Sequence, residues 1–102
     1  MNELQDIQDW FSAQANGEWE HSYGIRIDTC DNPGWWVHID LTDTPLAEKN
    51  FTPISKGVSE DMMNTEPDWI RCDVRDEIFD GAGDPSKLGA VLRIFLKWAT
   101  QE

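Results

Sequence analysis

The sequence predicts an α+β fold: a two-layer sandwich in which an antiparallel sheet of about four strands carries an N-terminal and a C-terminal helix on one face. Three observations predict it. Apolar residues recur at helical spacing near both ends of the chain, period-two alternation fills the middle, and the connections between these runs are short enough to favour antiparallel neighbours. With 102 residues, residues 1–102 are expected to form one domain, burying roughly 60–70% of the surface the unfolded chain would expose.

The first helix is expected at 3–15. Leu4, Ile7 and Phe11 fall on one stripe with Trp10 beside them, and Asp6 and Asp9 lie opposite. Asn2 can cap the start, Glu3 and Asp6 suit the positive end of the helix dipole, and Asn16-Gly17 is a stop signal. A hairpin follows. Positions 21–29 alternate, with Tyr23, Ile25 and Ile27 on one face; Asp31-Asn32-Pro33-Gly34 is a dense turn; positions 35–41 alternate again, with Trp35, Val37, Ile39 and Leu41 on one face and Trp36, His38 and Asp40 on the other.

From 42 to 67 the pattern weakens, because Thr44-Pro45 and Thr52-Pro53 break regular pairing. A short edge strand is expected near 51–56. An acidic loop is expected at 57–67, with Glu60, Asp61 and Glu66 in it and Met62 and Met63 as candidates to dip into the core. Positions 68–75 alternate once more: Ile70, Cys72 and Val74 against Trp69, Arg71, Asp73 and Arg75. Ile78 and Phe79 extend the apolar content, and Gly81-Ala82-Gly83 reads as a flexible connector. The last helix is expected to open with Asp84 as cap and Pro85 at its first position. Its stripe is Leu88, Val91, Leu92, Phe95 and Ala99, broadened by Leu96 and Trp98, with Arg93 and Lys97 outward and Gly89 a weak interior point.

The formal net charge is −12. Such a surface repels phosphate backbones and anionic lipid, so neither a nucleic acid nor a membrane is expected as partner. It suits a cationic partner and also suits plain solubility; composition does not choose between the two. Six tryptophans in a chain of this length argue against disorder. Cys30 and Cys72 sit in no metal-ligand spacing, the N-terminus lacks a basic start and an apolar run, and no stretch reaches membrane-spanning length. A cytoplasmic location with both thiols reduced is the expectation. Cys72, sharing parity with Ile70 and Val74, reads as a small core residue.

Few residues could carry chemistry. His38 and Asp40, two apart on one strand face, could be a base and its orienting acid, or a surface histidine beside an aspartate. Glu18, Glu20, His21, His38 and Asp40 could supply metal ligands, but no zinc or calcium spacing is present, and no cofactor is called for. What stands out is the strand face opposite the helices: Arg26, Asp28, Trp36, His38, Asp40, Trp69, Arg71, Asp73 and Arg75. Tryptophan and arginine dominate interface energetics, so the face reads as a binding surface. The competing reading is that its charges pair among themselves and that 42–67 caps its tryptophans. The acidic excess lies elsewhere, in the first helix, around Glu18 and Glu20, in the 60–68 loop, and at Asp76, Glu77, Asp80 and Asp84.

The run Gly17-Glu18-Trp19-Glu20-His21-Ser22-Tyr23-Gly24-Ile25, followed by Asp31-Asn32-Pro33-Gly34-Trp35, resembles the immunity protein 53 family of bacterial polymorphic toxin systems, marked by Trp-Glu and Pro-Gly-Trp motifs. Asp68-Trp69-Ile70 and Phe95-Leu96-Lys97-Trp98-Ala99 are similar as well, so the resemblance spans nearly the whole chain. It implies a non-enzymatic protein that binds and neutralises a cognate toxin. The expected contacts are Glu18, Trp19 and Glu20, which precede the first strand, together with Arg26, Trp36, His38, Asp40, Trp69, Arg71 and Asp73 on the open face. A cationic nuclease is the natural toxin, since its substrate site already accommodates negative charge. Two rival functions stay open, a small enzyme using His38 and Asp40 and a general acidic adaptor. The sequence specifies neither the toxin nor the oligomeric state.

Overall fold

A computed structural model describes residues 2–31, 33–59 and 65–101, with the side chains at 65 and 66 left out. Helix α1 (Glu3–Gln14) is followed by a single-turn helix α2 (Trp19–Ser22), then β1 (Ile25–Cys30), β2 (Gly34–Asp40), β3 (Ile54–Val58), β4 (Thr65–Arg75), β5 (Ile78–Gly83) and helix α3 (Leu88–Thr100). The expected α+β sandwich is present, with five strands in place of about four. All neighbours are antiparallel and the order is β1-β2-β5-β4-β3.

The extra strand is β5, and it sits at the centre of the sheet. By sequence its place reads as apolar content followed by a flexible connector. The glycines hid it. A Cβ on Gly81 would stand 2.5 Å from a methyl of Val91, and one on Gly83 would stand 2.5 Å from Lys87 Cβ. These glycines let α3 lie close against the central strand. The β4–β5 connection is a two-residue turn, Asp76-Glu77, with both residues at positive φ (53° and 61°). That turn favours Asn-Gly, so two acids gave no hairpin signal.

On the covered face the register aligns Ile25, Ile39, Phe79 and Val74 in one row, and Ile27, Val37, Gly81, Cys72 and Ile54 in the next. α3 buries Val91, Leu92, Phe95 and Leu96 over these rows, as its stripe predicts. α1 packs beside α3 and is pinned there by Arg93, whose guanidinium donates to Glu3 at 2.6 Å. Only Ile7 of α1 is buried; Leu4, expected on the stripe, is 66% exposed, and Phe11 lies at the surface against Trp19. An aromatic chain threads between the layers: Trp10 meets Phe95, Phe95 meets Phe79, Phe79 meets Phe51 and Phe51 meets Trp98, all edge-on at 5.0–5.7 Å. Each such contact adds about 0.5–1.5 kcal/mol beyond burial.

Three further expectations change. Positions 21 and 22 belong to α2, not to a strand. Asp84 and Pro85 lie in a turn ahead of α3, whose own cap is Lys87. Gly57 and Val58 end β3 and Thr65 begins β4, so both ends of the 57–67 stretch are strand, and Glu60, Asp61, Met62 and Met63 lie outside the described residues, as does Asn32 of the first turn. The edge strand expected near 51–56 is β3. Cys72 is fully buried in the core, and burial pushes its thiol up to about 12.

Candidate interaction face

The helices leave one side of the sheet open. Its side chains follow from strand register. One row across β1, β2, β5 and β4 is Arg26, His38, Asp80 and Asp73; the next is Asp28, Trp36, Ala82 and Arg71. The 41–53 segment does not cap this face. It turns to the helix side, burying Leu41 and Leu46 in the core, while Trp98 donates its indole N–H to Asn50 O at 2.7 Å.

Asp80 is the hub. Its Oδ1 accepts the indole N–H of Trp36 at 3.0 Å and lies 3.3 Å from His38 Nε2, and its Oδ2 lies 3.7 Å from an Arg71 guanidinium nitrogen. The His38 ring meets Trp36 edge-on at 4.2 Å. Ala82, the cross-strand partner of Trp36, takes little room beside it. Trp36 is thus held by two neighbours and still 43% exposed. Asp73, directly across from Asp80, turns its carboxylate away from that like charge, accepting from Val74 N–H at 2.8 Å and Arg75 Nε at 3.1 Å.

Trp36 differs in kind from the other tryptophans. The indoles of Trp19, Trp35 and Trp98 donate to the main-chain carbonyls of Thr42, Pro85 and Asn50 and tie loops to the core. Trp36 alone of these four donates to a side-chain carboxylate on the open face.

The expected contacts divide. Arg26, Trp36, His38, Asp40, Arg71 and Asp73 share the open face, as parity predicts. Trp69 lies on that face by parity but is only 6% exposed, packed against Gly34 and Gly57, and its main-chain N–H donates to Asp84 at 2.9 Å. Trp19 is 4% exposed, lodged among Trp10, Phe11 and Tyr23. The Glu20 carboxylate folds back onto Asn16 and Gly17 N–H at 2.9–3.1 Å, and its own backbone N–H together with these donors holds its pKa below the usual value. Both therefore have architectural duties. Glu18 is exposed beside them, away from the sheet hub.

His38 and Asp40 do not pair as a base and its orienting acid. Asp40 accepts from Gly24 N–H at 2.9 Å, while His38 turns to Asp80. The surface hollows described lie against α1 and α3 and at the strand ends, lined by groups such as Trp10 with Leu96, Glu48 with Glu77, and Phe51 with Trp98; His38 lines none of these three. Among the described residues no three His, Cys, Asp or Glu side chains gather as a metal site, and no helix is long and apolar enough to cross a membrane.

Asp80 was missed as a site residue because it read as one more acid in a run from Asp76 to Asp84. The signal lay in parity: Asp80 and Ala82 alternate with Phe79, Gly81 and Gly83, and two glycines masked the alternation.

No curated protein and no solved structure matches the chain. A family model does, that of immunity protein 53, over residues 4–100. That span takes in every element of the fold from the first turn of α1 to the end of α3, and on it the chain belongs to the immunity protein 53 family.

Proposed function

We propose that this protein binds a cognate bacterial toxin and inactivates it by stoichiometric contact in the cytoplasm, without catalysis, and that the open sheet face is the docking surface with Trp36 at its centre. The observation that carries this reading is Trp36 itself: a large aromatic, 43% exposed, held in place by Asp80 and His38 on a rigid central strand pair. Interface energy concentrates in such side chains, and a ring already fixed loses little freedom on binding. Arg71, which meets the same Asp80 carboxylate, supplies the other residue type favoured at interface centres.

Charge indicates the kind of toxin. Of 8 basic residues, Arg71, Arg75, Lys87 and Arg93 are engaged with acids, and Lys49 donates to main-chain carbonyls of α3. Among the described residues Asp9, Glu18, Asp31, Asp43, Glu48 and Asp76 are exposed and in no ion pair. A basic toxin, a nuclease above all, meets that field favourably, and occlusion of its substrate groove is the simplest means of neutralisation. Exposed Glu18 would then act in long-range attraction rather than at the hub.

The test pairs genetics with binding. Co-expression with the cognate toxin is expected to rescue growth, and Trp36→Ala to weaken the complex about 30-fold or more with little change in thermal stability. Rescue by Trp36→Ala with undiminished affinity would remove the face from the interface. Failure of the parent chain to rescue would overturn the immunity reading itself.

A further inference from the structure

The two edges of the sheet are built differently. At β3, Pro53 precedes the strand, Lys56 lies within it, and Gly57 at φ +73° accompanies a break in register. These are devices that discourage pairing with another chain. The β1 edge has no proline, no lysine and no break in register, and its two charges are of opposite sign. Its sequence is IRIDTC, its pairing with β2 is unbroken, and Arg26, Ile27, Asp28 and Thr29 are all exposed. Ile27, a large apolar side chain, is 41% exposed at the middle of the strand. Among the described residues Arg26 and Asp28 have no ion-pair partner.

Hydrogen-bond parity says which groups face outward. Asp40 N–H donates to Gly24 O across the pair, so Gly24, Arg26 and Asp28 point their main-chain groups at β2. Ile25, Ile27 and Thr29 therefore present theirs to the free edge. If two such edges meet antiparallel about a two-fold axis at Ile27, Ile27 faces Ile27, and Ile25 faces Thr29, so every outward donor meets an outward acceptor. In the same register Arg26 of each copy stands opposite Asp28 of the other, on the open face. Shifting the pairing by two in either direction puts Arg26 against Arg26 or Asp28 against Asp28. Only one register satisfies hydrogen bonds, charge and apolar cover together.

We infer that β1 is a self-complementary edge through which two copies of this chain pair, joining two five-stranded sheets into one continuous sheet with both open faces on the same side. The interface is six residues long on each copy, so the dimer forms at the higher end of protein concentration. This inference is independent of what the open face meets.

Sedimentation equilibrium on the full chain tests it. Between about 1 µM and 1 mM the mass is expected to rise from 11.7 kDa towards twice that value. Arg26→Asp and Asp28→Arg are each expected to weaken pairing about tenfold or more, because each places like charges opposite one another twice per dimer. The double swap Arg26→Asp with Asp28→Arg is expected to restore it, and since a swapped chain must fold to dimerise, it separates lost pairing from lost fold. A parent chain that stays at 11.7 kDa throughout, single reversals that pair as well as the parent, or a double swap that does not recover would each overturn the inference. So would amide protection at Ile25, Ile27 and Thr29 that arises in a monomer only when the toxin is added, which would assign the edge to a toxin strand.

Discussion

Trp19 and Trp36 illustrate how one residue type serves two ends. The Trp19 indole is buried and donates to Thr42 O at 2.8 Å, fastening α2 to the loop after β2. Trp19→Phe leaves that carbonyl without its donor, and a loss of about 1–3 kcal/mol in chemical unfolding is expected, with the open face unchanged. Trp36 donates across the open face, and Asp80→Ala is expected to free its ring and His38 together, weakening toxin binding about tenfold while the melting temperature moves little. Asp84 is a residue of the first kind. Its carboxylate accepts from Lys87, Ser86 and the N–H of Trp69, the Lys87 bond foremost, and these donors hold its pKa far below the ordinary aspartate value. A depressed carboxyl stabilises the fold fully above about pH 3.9 and loses that contribution as pH falls towards its lowered value. Thermal melts of Asp84→Asn are therefore expected to depend less on pH between about 4 and 2 than those of the parent, from a lower starting stability.

Strand β5 decides the architecture at the scale of elements. Gly81→Val is expected to cost about 1–3 kcal/mol or more, because the added methyls enter the space held by Val91 and Phe79 and α3 must move away from the sheet. A melting temperature equal to the parent's would refute the close approach. The same strand marks the limit of what the chain discloses by pattern. α1, α3, β2 and β4 announce themselves through apolar periodicity, and the register then places Arg26, Trp36, His38, Arg71 and Asp73 on one face without further information. β5 carries two glycines where packing demands the absence of a side chain, and its turn uses two acids at positive φ, so neither its strand nor its hairpin has the usual signature. With β5 unseen, Asp80 had no face to belong to. Trp69 was placed on its face correctly, yet its burial depends on Gly34 and Gly57, residues from other strands that alternation cannot weigh. Trp19 and Glu20 drew attention by motif, and their contacts show that a motif can record a packing duty.

At the scale of the whole molecule the formal charge of −12 is the dominant property. The open face is nearly balanced, with Arg26, Arg71 and Arg75 set among Asp28, Asp40, Asp73 and Asp80, while the surplus acids lie beyond it, on α1 across the sheet and in the turns. On the proposed function, such an arrangement would attract a basic toxin at a distance and position it through local contacts close in. The association rate with the toxin is accordingly expected to fall steeply as ionic strength rises, with the dissociation rate far less affected, as stopped-flow mixing can resolve. The most direct test of the central claim is side-chain NMR on this protein with and without its cognate toxin. The account predicts shifted side-chain resonances centred on Trp36, His38, Asp80 and Arg71. Shifts confined to α1 and α3 with those four residues unchanged would contradict it.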